Sequence, residues 1–563
     1  MLKHLKWRIS LLLCIYPLIA HVQPTEIQIK GIDRDVLQNV QRRLSELYQA
    51  KSIMNEQDIT LRNQIKQAMS PYGLFNPQVE VRRSKGNITF QISKGPQTII
   101  THFKAELIGE GRLNPRLLET LHTIPLKTGQ PLNSTVYEDA KEALKNKTEQ
   151  LGYLHATFKK SILWIDEQQN SASIHLIFDT GPQFYFGQIR FHPTYLSPKL
   201  LHRFVPFQWG QPYSEEQLDE LNSNLAASGY FKTVKVKPKI NNDTQVPVDI
   251  DLKPSKRVTY SLGAGYGTDT GPRGLAELHV IPVNRSGHKF NAILQGSFEE
   301  NALQAQYLIP GKNPVVDNYG INGGITNLDY NAGHSTSELL SLAQQHVLTT
   351  HQRILSLNAL HDRYSYYGQN PMEESLFYPK ALFSWNHTSD PQFSPSGFNV
   401  SIMGLVANKA LFSDITMGQL TLDAKAALTI DPIRTRLYFH TIQGTTNIHN
   451  IYQIPLSLAQ LLGGATNLRG YNFNEVGPGR VISYAGAELQ KETFNKWYAL
   501  GFFDSGKVYN PQVSTYKYDA GVGVMWVSPV GPIKVAVAQA VNQQMGRQTG
   551  QSPKLVVMMG TDL

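Results

Sequence analysis

A strict alternation of apolar and polar residues in the second half of the chain restricts the fold there to long β-strands. Apolar residues occupy every second position over 420–430, and the segment 289–298 repeats the pattern. Successive side chains of a strand point to opposite faces, whereas one face of a helix needs apolar residues three and four positions apart. About ten alternating residues between polar turns are also the length of a strand that crosses a membrane.

About sixteen such segments follow one another between Val258 and Gly560. We therefore predict a transmembrane antiparallel β-barrel of sixteen strands over residues 257–563, because an even number closed on itself leaves no unpaired edge in lipid. A soluble β-sandwich is the alternative, although a sandwich rarely has so many long strands. After the N-terminal segment no apolar run reaches the roughly 18 residues that a transmembrane helix needs.

A glycine followed closely by an aromatic residue recurs three times in the first half of the chain. Gly73, Gly152 and Gly229 each follow a helical stretch and precede a strand. Glycine at such a point is typical of a helix C-cap, and the aromatic residue anchors the turn in the core. With a leading and a closing strand, each unit has the order strand, helix, helix, strand, strand. The predicted α+β domains are 25–97, 98–182 and 183–256.

The N-terminus has the features of a secretory signal. Basic residues precede a dozen apolar residues at 9–20, a run too short to span a membrane, and we predict a signal peptide over 1–22. Cys14, the only cysteine of the chain, lies inside it. The mature chain then has no disulfide, no thiol catalysis and no cysteine-based metal site.

The charge and the remaining motifs indicate neither nucleic acid nor a cofactor as a partner. The net charge of +9 is accompanied by no Lys/Arg run and by no basic residues interleaved with aromatic ones. A solvated basic surface or attraction to anionic lipid accounts for it better. The 17 histidines include no His-Glu-x-x-His motif, and no helix follows the glycines at 263, 265 and 267. We therefore predict no metal and no nucleotide.

Two Asp-Thr-Gly triplets, which begin at Asp179 and Asp269, raise the alternative of an aspartic protease, where two aspartates share a proton. A proline follows each triplet, at Pro182 and Pro272, where the protease turn needs Ser or Ala. The triplets also fall in different predicted domains. We predict that the protein is not an enzyme.

An arginine in a glycine-rich segment between two strands is the main candidate for a functional residue. Arg469 precedes Gly470, and the next two predicted strands carry Glu488 and Asp504 at positions that face the barrel interior. A guanidinium folded inward would form a bidentate pair with either carboxylate, whereas a solvated arginine is the alternative that the local sequence leaves open. The predicted loop clip comprises Arg469, Gly470, Tyr471, Glu488, Asp504 and Gly506.

These segments resemble the BamA/TamA superfamily. Residues 468–471 match its [VIL]-R-G-[FY] motif, which lies on the sixth extracellular loop and folds into the barrel. Residues 503–506 are similar to its F-x-D-x-G region, although Asp504 follows the second Phe directly. The repeats resemble POTRA (polypeptide-transport-associated) domains, of which BamA has five and two-partner secretion transporters two. Three features are similar to the TamA branch: the number of repeats, the segment 260–274 at the start of the barrel, and the ending 559–563.

The resemblance implies an outer-membrane protein with its repeats in the periplasm. It implies a role in the insertion or translocation of autotransporters and other β-barrel clients, and a link to phospholipid transport. The implied partners are a TamB-like inner-membrane protein that spans the periplasm, unfolded clients and outer-membrane lipid. A two-partner secretion transporter and a passive porin are the alternatives, but a porin has no use for three repeats.

We expect the first strand (258–267) and the last (555–560) to meet in a weak seam, with Tyr260 opposite Met558. Glycines and Pro553 limit the pairing there, and a shortened apolar band at this point would thin the bilayer. Such a seam opens sideways and offers an edge strand to a client. The predicted seam residues are Tyr260, Gly263, Gly265, Gly267, Met558 and Gly560.

Overall fold

The computed structural model describes most of the chain after the predicted signal peptide. The described residues are 26–47, 53–84, 87–192, 194–241, 243–390, 392–509, 515–529, 531–541 and 552–563. The predicted signal peptide (1–22), with Cys14, lies outside them. No helix within these ranges combines the length and the apolar character that a membrane crossing requires.

The first half of the chain forms three small α/β repeats with the predicted order of elements. Repeat 1 contains β1 (Glu26–Lys30), α1 (Arg34–Leu47), α2 (Asp58–Met69), β2 (Gln78–Ser84) and β3 (Asn87–Ser93). Repeat 2 contains β4 (Ile99–Ile108), α3 (Pro115–His122), α4 (Ser134–Gln150), β5 (Thr157–Asp166) and β6 (Ser171–Asp179). Repeat 3 contains β7 (Tyr185–His192), α5 (Pro198–Leu201), α6 (Glu215–Ala227), β8 (Phe231–Pro238) and β9 (Gln245–Pro254).

In each repeat the last strand lies in the middle of a three-stranded sheet. The leading strand of repeats 1 and 2 pairs with it in parallel, and the second strand pairs with it in antiparallel fashion. A parallel pair needs a crossover, which the two helices provide. In repeat 1, the helix residues Val40, Leu61 and Ile65 pack against Ile88 and Phe90 of the central strand, and all five are fully buried.

The three glycines of the repeat signature have left-handed backbone conformations. Their φ angles are 74° at Gly73, 88° at Gly152 and 79° at Gly229. A side chain is strained in this region, whereas glycine adopts it freely. Each glycine ends the helical segment and starts the turn into the next strand, as the sequence predicted.

Residues of repeat 3 bind the first turns of the following β-sheet. The buried hydroxyl of Tyr230 donates to the carbonyl of Gly287 at 2.5 Å, and Lys289 Nζ donates to the carbonyl of Ser228 at 2.8 Å. Arg203 Nη2 donates to the carbonyl of Pro310 at 2.9 Å. Burial raises the pKa of the Tyr230 hydroxyl, so it remains a neutral donor. These contacts fix residues 203, 228 and 230 to the turns at 281–288 and 310–316.

Residues 258–559 form one sixteen-stranded antiparallel sheet, in which consecutive strands are neighbours. Its first eight strands are β10 (Val258–Gly267), β11 (Gly271–Val280), β12 (Lys289–Gly296), β13 (Glu300–Pro310), β14 (Asp317–Tyr330), β15 (Gly333–Val347), β16 (His351–Tyr366) and β17 (Met372–Thr388). The others are β18 (Gly397–Ala407), β19 (Met417–Ile430), β20 (Thr435–Ile448), β21 (Val481–Phe494), β22 (Trp497–Tyr509), β23 (Lys517–Ser528), β24 (Gly531–Val541) and β25 (Lys554–Met559). The sheet curls into a nearly closed barrel, so the predicted fold is confirmed.

The two faces of the barrel wall differ as the alternation requires. Large apolar side chains on the outer face are exposed on successive strands, including Leu294, Leu303, Ile325, Leu340, Leu357, Leu420, Phe439 and Leu489. The inner face carries buried polar side chains, including Ser341, Asn358, Ser384, Gln419 and Thr446. A continuous apolar outer band over a polar interior is the pattern of a barrel surrounded by lipid.

Candidate functional site: an ion-pair cluster in the barrel lumen and an open seam

The connection between β20 and β21, residues 449–480, folds back into the barrel lumen. Leu462 and Leu468 are fully buried and Tyr471 is nearly so, unlike the side chains of an ordinary surface loop. They pack against inward side chains of β21 and β22, namely Ile482, Tyr484 and Val508. These apolar contacts anchor the loop to the inner wall and place Arg469, which lies between Leu468 and Tyr471, inside the barrel.

Arg469 contacts both predicted carboxylates. Its Nε donates to Asp504 Oδ2 at 2.7 Å, its Nη2 donates to Asp504 Oδ1 at 3.1 Å, and its Nη1 donates to Glu488. The guanidinium carbon lies 3.4 Å from the centre of the Phe502 ring. The side chains of Glu488 and Asp504 are only 1% and 0% exposed. A bidentate pair and a stacked ring fix the guanidinium in one orientation, so the solvated alternative is excluded.

The two glycines of the loop clip lie where the loop backbone meets the barrel wall. A Cβ on Gly470 would lie 2.7 Å from Asp519 Cβ and 2.8 Å from the backbone nitrogen of Ala540. A Cβ on Gly506 would lie 2.9 Å from the loop residue Leu462. Neither position has room for a side chain, because atoms this close overlap. The glycines therefore permit the loop to approach β22, β23 and β24 closely.

Three further buried charges, which the sequence analysis missed, extend the cluster. Lys534 Nζ lies 2.8 Å from Glu488 Oε1 and 3.2 Å from Asp562 Oδ2. Arg436 pairs with Asp562 at 2.8 Å. Their positions in the sequence could have indicated them. Lys534 and Arg436 occupy inward positions of alternating strands, where a charge requires a partner. In the described part of the chain no group of three or more His, Cys, Asp or Glu residues has a metal-binding arrangement.

The barrel sheet has two ends, β10 and β25, and within the described residues no backbone ladder joins them. The hydrogen bond across the gap runs from the backbone nitrogen of Val557 to Thr268 Oγ1 at 3.2 Å. β25 has 6 residues and β10 has 10. We call the gap between β10 and β25 the seam. Most of the edge of β10 is therefore free along the seam.

The predicted seam residues lie on these two strands or next to them, but not in the expected register. Val557 lies beside Thr268 and the strands run antiparallel, so Met558 lies near Gly267. Tyr260 lies at the other end of β10, roughly 27 Å from Thr268 at the usual rise per residue. The expected pairing of Tyr260 with Met558 is therefore wrong, because β25 stops at Met559 before it reaches that end of β10.

The seam strand β10 presents glycines on its inner face and a tyrosine on its outer face. Gly263, Gly265 and Gly267 occupy alternate, inward positions of β10, and Tyr260 is 79% exposed on the outer face. Gly560 follows β25 with a φ of 124°, which turns the chain away from the sheet. A cavity of about 470 Å³ lies beside the inner face of β10 and is lined by Gly263, Gly265, Arg273, Glu300, Phe473 and Met559, among others.

The tip of the inward loop reaches both sides of the seam. The backbone nitrogen of Ala465 donates to Asp269 in the β10–β11 turn. Lys554, the first residue of β25, donates to Asn472. The same loop that holds Arg469 thus contacts the first and the last strand. Asp179 and Asp269, the aspartates of the protease alternative, accept hydrogen bonds from Gly181 and Ala465 respectively.

Family models match both halves of the chain. The model of the Omp85 superfamily domain matches residues 291–558. The model described as POTRA domain TamA domain 1 matches residues 26–94, and the POTRA model described as surface antigen variable number repeat matches residues 184–255. Residues 291–558 are thus similar to the Omp85 superfamily domain, and two segments of the first half are similar to POTRA domains. Residues 291–558 lie in the barrel, and the POTRA matches coincide with repeats 1 and 3.

A solved structure of BamA shares the fold of this chain. The crystal structure of BamA from Haemophilus ducreyi lacking POTRA domains 1–3 is 18% identical, covers 82% of this chain and 98% of its own, and has a TM-score of 0.68. CdiB from Acinetobacter baumannii is 11% identical, covers 94% and 100%, and has a TM-score of 0.46. CdiB from Escherichia coli is 13% identical, covers 94% and 98%, and has a TM-score of 0.45.

The family matches and the fold together imply where the protein lies. An Omp85 β-barrel preceded by POTRA domains implies an outer-membrane protein with its POTRA domains in the periplasm. β10 then starts at the periplasmic end, so the β10–β11 turn and the loop 449–480 lie at the extracellular end. The Arg469 loop is therefore an extracellular loop folded inward, and the seam contact between Thr268 and Val557 lies at the extracellular end of β10.

Proposed function

We propose that this protein assists the insertion of β-barrel proteins, autotransporters among them, into the outer membrane. The observation that carries the proposal is the free edge of β10 at the seam. An unpaired strand edge in lipid leaves its N–H and C=O groups without partners, which is costly. An incoming client strand that pairs with β10 would satisfy them, which is β-augmentation.

The shape of the seam supports a second part of the proposal. β25 has 6 residues, about 20 Å at the usual rise, and β17 has 17, about 55 Å. A wall with so short a last strand presents a short apolar band to the lipid, and the bilayer would thin there. A thinner bilayer lowers the barrier for a client strand to cross. We propose that the seam acts by this geometry, without a nucleotide or a metal.

The POTRA domains suggest the branch of the superfamily and the partner. Repeat 1 matches a model built for the first POTRA domain of TamA, and the chain has three repeats. We propose a TamA-like role, with a TamB-like, periplasm-spanning inner-membrane protein bound to the repeats, and with outer-membrane phospholipid as further cargo. A pull-down with full-length protein from envelope extract tests the partner. Recovery of periplasmic chaperones alone would contradict it.

A seam lock tests the function. Thr268→Cys with Val557→Cys would join β10 to β25 where they already touch, and Cys14 lies outside the predicted mature chain. We expect assembly of an autotransporter client to fall when this disulfide forms and to recover on reduction. The control pair, Leu340→Cys with Ala359→Cys, links directly opposite residues of β15 and β16 and should not change assembly. Undiminished assembly with the seam locked would overturn the proposal.

The alternatives, a passive porin and a two-partner secretion transporter, give different results in the same preparation. A porin would show large, steady single-channel currents that the seam disulfide leaves unchanged. A secretion transporter would release its client into the medium rather than into the membrane. With an inward loop that fills part of the lumen, we expect small, flickering currents and membrane-inserted clients.

A further inference from the structure

The short segment after β25, residues 560–563, turns into the lumen at the periplasmic end of the barrel. Gly560 adopts a φ of 124°, and its backbone nitrogen donates to the carbonyl of Pro532 at 3.1 Å. Two residues later Asp562 is buried, with its side chain 5% exposed. A carboxylate loses its hydration in such a place and remains charged only if cations replace the water.

Two cations and a tyrosine hold Asp562. Arg436 Nη1 donates to its Oδ2 at 2.8 Å and Nη2 to its Oδ1 at 3.0 Å, in a bidentate pair. Lys534 Nζ lies 3.2 Å from Oδ2, and the Tyr438 hydroxyl donates to the backbone carbonyl of Asp562 at 3.0 Å. These donors belong to β20 and β24. The segment is therefore tied to the inner wall by side chains on two separate strands.

Arg436 depends on this contact. Its side chain is 1% exposed, and its guanidinium lies 4.8 Å from the centre of the Phe393 ring. Among the described residues, Asp562 is the only carboxylate that pairs with Arg436. If the segment left the lumen, Arg436 would remain as a buried cation without an anion. The geometry thus favours the inward position of the segment strongly.

Lys534, which binds Asp562, also binds Glu488 of the loop clip. Lys534 binds Glu488 Oε1 at 2.8 Å as well as Asp562, and Glu488 also binds Arg469. Gln490 forms a parallel link, because it accepts from Arg436 at 2.8 Å and donates to Glu488 at 2.6 Å. If the loop took Arg469 away, Glu488 would keep Lys534 as its cation and would draw Lys534 away from Asp562.

We propose that Asp562 is a latch that holds the end of β25 inside the barrel and restricts opening of the seam, and that Lys534 couples this latch to the Arg469 loop clip. The inference rests on the proposed function, since it names the regulation of the same seam. Displacement of the inward loop removes Arg469 from Glu488 on β21, so that Glu488 attracts Lys534 more strongly and the hold of Lys534 on Asp562 weakens. β25 can then separate from Thr268 on the first strand.

The latch is tested without any client, by the distance between spin labels on Thr268→Cys and Val557→Cys in the full-length protein in lipid vesicles. We expect Asp562→Asn to raise the population with a separated seam at least about tenfold. Tyr438→Phe removes a donor without stranding a charge, and should shift the same distribution in the same direction by about threefold. Glu492→Gln removes the partner of exposed Arg434 near Arg436, and should leave the distribution unchanged.

An unchanged seam in folded Asp562→Asn and Tyr438→Phe protein would overturn the latch, as would an equal shift in Glu492→Gln protein. The coupling is tested by a double-mutant cycle between Arg469→Lys and Asp562→Asn. Non-additive effects on the seam population are expected, and additive effects would overturn the coupling. Because the measurement contains no client, a protein that fails to assemble clients but still shows the latch would contradict the proposed function alone.

Discussion

The far wall of the barrel, β14 to β17, and the seam are held by different interactions. The strands of the far wall have 14 to 17 residues and pair with their neighbours through continuous ladders. At the seam β25 has 6 residues, and the nearby wall is tied instead by side chains, through the Arg469 loop clip and Asp562. A ladder opens only if many backbone bonds break together, whereas an ion pair can exchange one partner for another. The far wall is therefore held by extended backbone pairing, whereas the seam is held mainly by side-chain contacts.

Amide hydrogen exchange in lipid vesicles measures how firmly each strand is held. We expect the largest difference between the far wall and the seam in this measurement. Amides of β15 and β16 should exchange only by global unfolding, whereas those of β25 should exchange through local opening. The protection factors should differ by at least about 1,000-fold. Equal protection of β25 and β16 would mean that the seam is as firmly held as the far wall.

Arg469→Ala should have the next largest effect, because it leaves Glu488 and Asp504 buried with one cation fewer. We expect a loss of about 3–5 kcal/mol in the free energy of unfolding, measured by urea titration of the folded barrel. The matched control is Arg434→Ala, whose pair with Glu492 is exposed, and which should cost less than about 1 kcal/mol. Similar losses in the two variants would show that the lumen does not shield the clip.

Gly470→Ala should have a smaller effect, since one methyl group would force the loop away from Asp519 and the backbone of Ala540. We expect a loss of about 1–3 kcal/mol in the same titration. Gly501→Ala is the control, because a Cβ at Gly501, on a strand of the same barrel, meets no atom within 4 Å. A tolerated Gly470→Ala would indicate that the loop can move off the wall without loss of the clip.

The smallest effect is expected for an ion pair that water surrounds. Lys237 Nζ lies 2.6 Å from Asp251 in the β8–β9 hairpin, and this hydrogen bond lowers the pKa of Asp251. A carboxylate with a lowered folded pKa stabilises the fold above its unfolded pKa, near 4, and loses that effect as the pH falls through the folded value. At pH 7 this stabilisation is present in full, but water screens the exposed pair, so Asp251→Asn should lower the urea midpoint only slightly. A loss comparable to that of Arg469→Ala would contradict the distinction between exposed and buried pairs.

Much of the fold could be predicted because its signals are local. Alternation over 420–430 predicts a strand, and β19 extends over Met417–Ile430. The glycine at 152 predicts a left-handed turn, and its φ is 88°. Each signal depends on residues a few positions apart, where the backbone geometry is decided by sterics and side-chain direction.

The site could be predicted only in part, because its partners are distant along the chain. Glu488 and Asp504 follow the Arg469 loop on the next two strands, so the alternation in the nearby sequence was enough to predict both partners. Arg436 and Asp562 are 126 residues apart and meet only because the sheet curls. The register at the seam depends on the same closure, and for this reason the sequence does not predict that Met558 lies near Gly267 and far from Tyr260.

The contacts between repeat 3 and the barrel have a mechanical consequence. Tyr230, Ser228 and Arg203 bind turns that lead into β12, β13 and β14. A force applied to residues 203, 228 and 230 would therefore act directly on these early strands. Because β12 to β14 continue the ladder that starts at β10, a pull on these residues would load the β10 side of the seam first.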